Sequence, residues 1–352
     1  MSIISIAREE LLRLAPYSAA EQLEDTIRLN ANEVPFRNGV DHFRRPLNRY
    51  PEVRPSRLQA TLAAHYGVAA ERLLVTRGSS EAIDLLVRCF CRAGRDNVVT
   101  PAPTFSMYRH YARIQDAELR DVPMERGTDF SVSAPTLLAS CDDRTRLVFL
   151  CSPNNPTGTV LPRATLTTIL SELAGRTAVV VDEAYIEFSD EPSTLGLLQA
   201  HENLIVLRTL SKALGFAGAR CGSVIAQADV IRLLDAVQAP YALATPVVEC
   251  VEDALTRARL QETRSNVAKT VTERDRLVRE LASLPFVRRL FPTGANFVLA
   301  VFDDADAVFE RTRADRILLR RFGGDLDGCA RITVGLPDEN DRLLASLRTL
   351  LD

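Results

Sequence analysis

The chain predicts an α/β fold, in which a large unit with a mostly parallel central sheet sandwiched by helices is joined to a smaller α+β unit and an N-terminal arm. Two observations carry this. From about Arg57 to Ala226, short apolar runs alternate with helix-like stretches, with crossovers long enough to return parallel strands. Beyond Thr245 the order changes to a long helical stretch, then strands, then a last helix. The length of 352 residues suits two units, each burying its core without disulfide or metal staples.

Taken in order, Met1 to Arg49 is polar and irregular after a short helical start at Ala7 to Leu14, and reads as an arm wrapping over other structure. Arg57 to Tyr66 is helix-like, Arg72 to Thr76 a strand, Glu81 to Cys91 an amphipathic helix and Asn97 to Thr100 a strand. Arg146 to Cys151 is a strand, Leu166 to Leu173 a helix, and Ala178 to Asp182, Leu204 to Arg208 and Gly222 to Ala226 are strands. Thr245 to about Leu284 is helical, followed by strands at Phe297 to Phe302, Arg316 to Leu319 and Arg331 to Val334. The expected division is an arm contributing to the small unit (1–48), a large unit (49–244) and a small C-terminal unit (245–352).

With 46% hydrophobic and 25% charged residues, the composition excludes a mainly disordered or collagen-like chain. The longest apolar runs, such as Ala178 to Val181, are strand-sized, so no transmembrane helix is expected, and residues 1–10 show no secretory pattern. A net charge of −3 with interspersed signs argues against a nucleic-acid surface. Seven cysteines without a C-x-x-C, and histidines scattered at His42, His65, His110 and His201, give no zinc spacing. Free thiols in a reducing cytoplasm are the expectation. Of the 43 basic residues only Lys212 and Lys269 are lysines, so any lysine chemistry has two candidates.

Ligands of open α/β sheets sit beyond the carboxyl ends of strands, so polar phrases just after strands matter most. Arg77 to Glu81 opens a helix, where free N–H groups and the Ser79 and Ser80 hydroxyls make an anion site, although the motif taken alone favours plain capping by Ser80. Ser152 to Gly158 carries two prolines and a glycine, a rigid turn able to hold the Asn155 amide in one orientation. Asp182 stands where a strand leaves the core, a costly place for a carboxylate unless it meets a cation, and Tyr185 follows three residues later. Lys212 lies in the hydroxyl-rich turn Thr209 to Ser211, before a stretch containing Arg220. Desolvation beside cations frees a lysine amine as a nucleophile toward aldehydes. Lys269 sits among polar helical neighbours and reads as a surface charge.

Together these parts meet the needs of pyridoxal 5'-phosphate. An aldehyde needs Lys212, a protonated pyridine nitrogen needs Asp182, a phenolate oxygen needs donors such as Asn155 and Tyr185, and a phosphate needs the serines, Thr209 and an arginine.

The chain also resembles the fold-type I aminotransferases, and within them the histidinol-phosphate branch. Matching phrases are Leu29 to Glu33, Asn48 to Glu52, Arg77 to Ala82, Ala102 to Tyr108, Ser152 to Gly158, Val181 to Phe188, Arg208 to Ala213, Ala217 to Gly222, Ala239 to Tyr241 and Arg331 to Gly335, in order over nearly the whole chain. The resemblance implies the pyridoxal-phosphate-dependent transferase fold. It implies that Lys212 holds the cofactor aldehyde and then shuttles protons, with Asp182 on the pyridinium nitrogen and Asn155 and Tyr185 on the ring oxygen. Ser79, Ser80, Thr209, Ser211 and Arg220 would surround the phosphate, Phe105 would stack on the ring, and Tyr50 would reach the cofactor of a second subunit in a homodimer. Relatives often carry tyrosine where Phe105 stands. Arg331 and Arg320 would take substrate carboxylate or phosphate, with Tyr17, Asn32 and Tyr241 as further substrate contacts.

The implied reaction is reversible transamination of L-histidinol phosphate with 2-oxoglutarate, giving imidazole acetol phosphate and L-glutamate, in L-histidine biosynthesis. Its rivals are an aromatic amino-acid aminotransferase or a related phospho-amino-acid decarboxylase. A non-enzymatic relative would need an appended module for which the chain has no room. A nicotinamide dehydrogenase would need G-x-G-x-x-G, and Gly215, Gly218 and Gly222 have the wrong spacing. No metal, nucleic acid or membrane is expected as a partner.

Overall fold

The computed structural model describes residues 2–17, 22 and 28–351; the rest of the arm, 18–21 and 23–27, lies outside the described residues. Seven strands form the main sheet: β1 (Leu73–Thr76), β2 (Asn97–Ala102), β3 (Glu118–Pro123), β4 (Thr145–Cys151), β5 (Ala178–Asp182), β6 (Leu204–Thr209) and β7 (Gly222–Ile225). Their spatial order is β1-β7-β6-β5-β4-β2-β3. From β3 to β6 all neighbours are parallel, while β7 runs antiparallel to both β6 and β1.

The central strands are apolar on both sides because both faces are covered. Val179 and Val181 pack with Leu58, Leu62 and Leu170 on one face; Val180, Ile205 and Leu207 pack with Leu85, Leu86 and Phe90 on the other. That two-sided burial is why β5 reads as a continuous aliphatic run rather than an alternating one.

The second sheet is antiparallel, in the order β10-β11-β9-β8, from β8 (Val287–Leu290), β9 (Phe297–Phe302), β10 (Arg320–Arg321) and β11 (Cys329–Thr333). Leu277 and Leu281 from helix Arg257–Ala282, and Leu343 and Leu344 from helix Pro337–Arg348, cover it. No helix among the described residues is long and apolar enough to cross a membrane.

Several elements differ from expectation. The helical start at 7–14 is two 3-10 turns, Ile3–Ile6 and Glu9–Leu11. Ile3 and Ala7 pack against Leu74 and Ala82, so the arm begins on the large unit rather than the small one. The stretch 245–284 is two helices, Thr245–Ala254 and Arg257–Ala282, because Thr256 takes an extended conformation and resets the direction. Val248, Val251 and Leu255 pack with Leu58 and Leu62, and we propose that the large unit runs through Leu255 rather than ending at 244. The strand expected at Arg316 to Leu319 is instead Arg320–Arg321, which brings Arg320 into register with Arg331.

Candidate active site

A cavity of about 650 Å³ opens at the carboxyl ends of the parallel strands and is closed from the other side by the second sheet. Its floor is Asp182, the last residue of β5, flanked in register by Cys151 on β4 and Leu207 on β6. Asp182 is only 2% exposed. One carboxylate oxygen accepts from the Tyr108 hydroxyl at 2.9 Å and the other from the Ala184 N–H at 3.2 Å. Burial dominates and pushes its pKa up to about 6, against the pull of those two donors and of Lys212. A carboxylate so placed lacks a close cation.

Beside it, Tyr185 is buried edge-on against Phe297, with ring centroids 5.2 Å apart. Burial raises its phenol pKa, so the hydroxyl stays a neutral donor. The next carboxylate in sequence, Glu183, turns the other way. It accepts from Ser193, from the Thr194 N–H and hydroxyl, and from Arg208, which anchors the turn that carries Asp182 and Tyr185.

An anion cradle forms one wall. Helix Gly78–Phe90 begins after Arg77 with no side-chain cap, which corrects the reading of Ser80 as a cap and leaves Ser79 and Ser80 in a first turn whose N–H groups face the cavity end. Gly78 is required here. Its φ is +73°, and a Cβ would stand 2.8 Å from an Arg220 guanidinium nitrogen. Gly222 is required too, since a Cβ there would meet the Arg208 carbonyl oxygen at 2.8 Å and Gly78 at 2.9 Å. The two glycines let β7, the helix start and Arg220 converge. Opposite, the Thr209 hydroxyl donates to Ser211 Oγ at 3.0 Å, and Arg220 donates to the same oxygen at 3.3 Å.

Lys212 projects into this space, with Nζ 5.3 Å from the centre of the Tyr185 ring. Although accessible through the cavity, it is surrounded by protein. Burial first, then Arg331 and Arg220, lower its pKa, opposed by Asp182. Lys269 is exposed on helix Arg257–Ala282 and lies outside the cavity.

The second sheet supplies two arginines. Arg320 and Arg331 are direct cross-strand partners on β10 and β11, and both line the cavity. Like charges opposite one another repel unless an anion lies between them. Burial, and then Arg320 against the opposing influence of Tyr185, weaken the hold of Arg331 on its proton. The Arg331 guanidinium lies over Phe297, donates to Asn155 Oδ1, and keeps a buried Nε without a partner. With its oxygen occupied, Asn155 presents Nδ2 as its remaining donor.

Thus Ser79, Ser80, Phe105, Asn155, Asp182 and Tyr185 line one cavity, as do Thr209, Ser211, Lys212, Arg220, Arg320 and Arg331. Tyr17, Asn32, Tyr50 and Tyr241 do not line it. Tyr50 stacks on Tyr241 at 4.8 Å, and Tyr17 meets Tyr241 edge-on at 6.3 Å. Asn32 is exposed in the arm with φ +56°. Sequence reasoning missed Tyr108 and the Arg109–Asp121 ion pair, whose members both line the cavity. The one available signal for Tyr108 was its place three residues after Phe105 at a helix start.

Comparison with known proteins agrees with this geometry. The family model for aminotransferase class I and II matches residues 24–347. A histidinol-phosphate aminotransferase from Xylella fastidiosa is 44% identical over 99% of this chain and 97% of its own. Among solved structures, a histidinol-phosphate aminotransferase from Sinorhizobium meliloti in complex with pyridoxal-5'-phosphate superposes with a TM-score of 0.78 at 25% identity, covering 86% of this chain and 84% of that one. The histidinol-phosphate aminotransferase from Clostridium acetobutylicum shares the fold, with a TM-score of 0.78 at 21% identity over 86% and 91% of the two chains. With its lysine, carboxylate floor and arginine pair in one cleft, the chain belongs to the class I and II aminotransferase family.

Proposed function

We propose that this protein is a pyridoxal 5'-phosphate-dependent aminotransferase that exchanges the amino group of L-histidinol phosphate with 2-oxoglutarate, giving imidazole acetol phosphate and L-glutamate in histidine biosynthesis. The observation that carries this is 44% identity to a histidinol-phosphate aminotransferase over 99% of the chain. The same branch of the family is where the Arg320–Arg331 pair has a use, because a guanidinium fork suits both phosphate and carboxylate. One pocket then serves both substrates in turn.

The cavity fits the cofactor on two counts visible in this chain. The uncapped helix start at Ser79 and Ser80 shares the cavity wall with Arg220, which packs closely against the bare Gly78 backbone, and this suits a phosphate. Asp182, buried without a close cation, suits a protonated ring nitrogen. When bound, the cofactor supplies an aldehyde to accept the amino group and a ring that draws electrons from the substrate Cα.

The residues divide the remaining work. Thr209, Ser211, Arg220 and the two serines would hold the phosphate, and Phe105 would pack on the ring face. Tyr185 and the Asn155 amide would donate to the ring oxygen. Lys212, whose ammonium is made easier to deprotonate by burial and by Arg331, would supply the amine that meets the aldehyde and would carry the Cα proton. Asp182 keeps its negative charge beneath the site, so electron density can leave Cα.

We also propose a homodimer with shared sites. Leu29, Phe36 and Val40 in the arm are 91%, 79% and 77% exposed, and beside them Tyr50, stacked on Tyr241, lies outside this chain's own cavity. A second copy covering this surface would receive Tyr50, with Tyr17, Asn32 and Tyr241 near it. Seven free cysteines fit a reducing cytoplasm, which we propose as its location.

The test is the absorption spectrum of the purified protein with the cofactor, followed as single amino donors are added without a keto acid. Histidinol phosphate should bleach the yellow band at far lower concentration than phenylalanine or aspartate. Preference for phenylalanine would move the function to aromatic transamination, and carbon dioxide release would move it to decarboxylation.

A further inference from the structure

Tyr108 lies behind the cavity floor, bonded to Asp182, and has no task in the mechanism above. It is fully buried. Its ring lies flat on Phe149, with centroids 4.7 Å apart and 7° between planes, and meets Phe105 edge-on at 5.7 Å. Phe149 belongs to β4 and Phe105 to the cavity wall, so the ring is clamped between the sheet and the site. Packing alone would be served by phenylalanine. The hydroxyl instead spends its proton on Asp182, 74 residues away in sequence. Burial and the Asp182 charge raise the Tyr108 pKa well above the usual phenol range, so this hydroxyl keeps its proton and can donate it to the carboxylate.

Asp182 needs such a donor. It is buried among apolar neighbours, and in that setting the neutral acid is favoured. Only the Tyr108 hydroxyl and the Ala184 N–H bond directly to its carboxylate among the described residues. A donor to a carboxylate oxygen favours the ionised form and removes the freedom of the side chain to rotate.

We infer that Tyr108 is a positioning residue of the reaction, holding Asp182 ionised and fixed beneath the ring nitrogen through its hydroxyl rather than through its packing. This rests on the cofactor reading of the cavity. With the hydroxyl gone, the proton shared between Asp182 and the ring nitrogen moves toward Asp182, and the ring loses part of its pull on electrons.

The experiment loads wild-type protein, Tyr108→Phe and Phe149→Leu with pyridoxal phosphate labelled with nitrogen-15 in the ring. It reads the ring-nitrogen resonance, the cofactor dissociation constant, the thermal midpoint and the turnover number. Tyr108→Phe keeps the shape of the side chain, so its fold should persist. Its resonance should move toward neutral pyridine, its dissociation constant should rise about tenfold, and kcat should fall about tenfold at a nearly unchanged KM, as expected for a lost bond to a charged group. Phe149→Leu should lower the thermal midpoint and leave the resonance in place. A Tyr108→Phe resonance identical to wild type would overturn the inference, and so would an equal displacement in Phe149→Leu, since packing would then explain it. Wild-type protein that takes up no cofactor would overturn the catalytic reading itself, and this inference with it.

Discussion

Asp182 and Glu33 are both buried carboxylates, and their surroundings push them in opposite directions. In the arm, the Glu33 side chain is 2% exposed and meets Arg28 at 2.5 Å and Arg49 at 2.9 Å. It also accepts the Tyr50 N–H at 2.8 Å. Burial raises its pKa, but the Tyr50 N–H, Arg49 and Arg28 outweigh this and leave it below the usual range. Asp182 has two neutral donors and no close cation, and its pKa goes up. Glu33 is electrostatically finished by its own chain, and its task is to fix the backbone of Tyr50. Asp182 has no such cationic partner among the described residues, which fits the proposed pairing with a protonated ring nitrogen.

The strongest way to break the comparison is on the reactive side. Lys212→Ala should cut transamination more than a thousandfold, since nucleophile and proton carrier are lost together. Steady-state turnover near wild type would remove Lys212 from both tasks. Asp182→Asn should cost about a hundredfold or more in kcat while the fold persists. A loss of only a few-fold would mean that another group supports the ring nitrogen.

Acidity tests the same contrast without turnover. Unfolded, the Asp182 carboxyl releases its proton near 3.8; in the cofactor-free fold it does so near 6. Between these values the folded chain keeps a proton that the unfolded chain has lost, so Asp182 contributes less stability as pH rises through that window. The full swing is on the order of 3 kcal/mol. Denaturation of the cofactor-free protein from pH 4 to pH 6, compared with Asp182→Asn, should show that slope only in the wild type. Parallel curves would contradict the raised pKa.

On the arm side the expected effects are smaller. Mixing inactive Lys212→Ala and Tyr50→Ala subunits should restore about a quarter of wild-type activity, because half the dimers then hold one intact site of two. No recovery despite demonstrated subunit exchange would count against a shared site. Glu33→Gln should lower stability by about 2 kcal/mol, as one charge leaves a paired cluster, and reduce activity a few-fold by loosening Tyr50. Unchanged melting and turnover would make the cluster ornamental.

The gathering of Asp182, Tyr185 and Lys212 in one cavity was legible in the sequence because polar phrases after strands meet at the carboxyl edge of a parallel sheet. Asp182 stands at a strand exit, and Lys212 is one of two lysines, the other on an exposed helix. The parallel sheet was legible from aliphatic runs buried on both faces. The short strand Arg320–Arg321 was not, since two exposed arginines carry no strand pattern; pairing with β11 decides it. The break at Thr256 was missed because both flanking helices are amphipathic and one backbone conformation separates them. The task of Tyr108 depends on a bond to a residue 74 positions away, which no local pattern encodes. Tyr17, Tyr50 and Tyr241 pack on one another outside the cavity, an arrangement that no local sequence pattern encodes.

The bond from Arg331 to Asn155 joins β11 to the loop after β4, 176 residues apart in the chain. It closes the cleft across the two sheets, so neither sheet can build the site alone. Loss of the contact between the sheets would therefore take the cavity apart while both sheets stay formed, so the cavity reports docking of the two halves rather than formation of either.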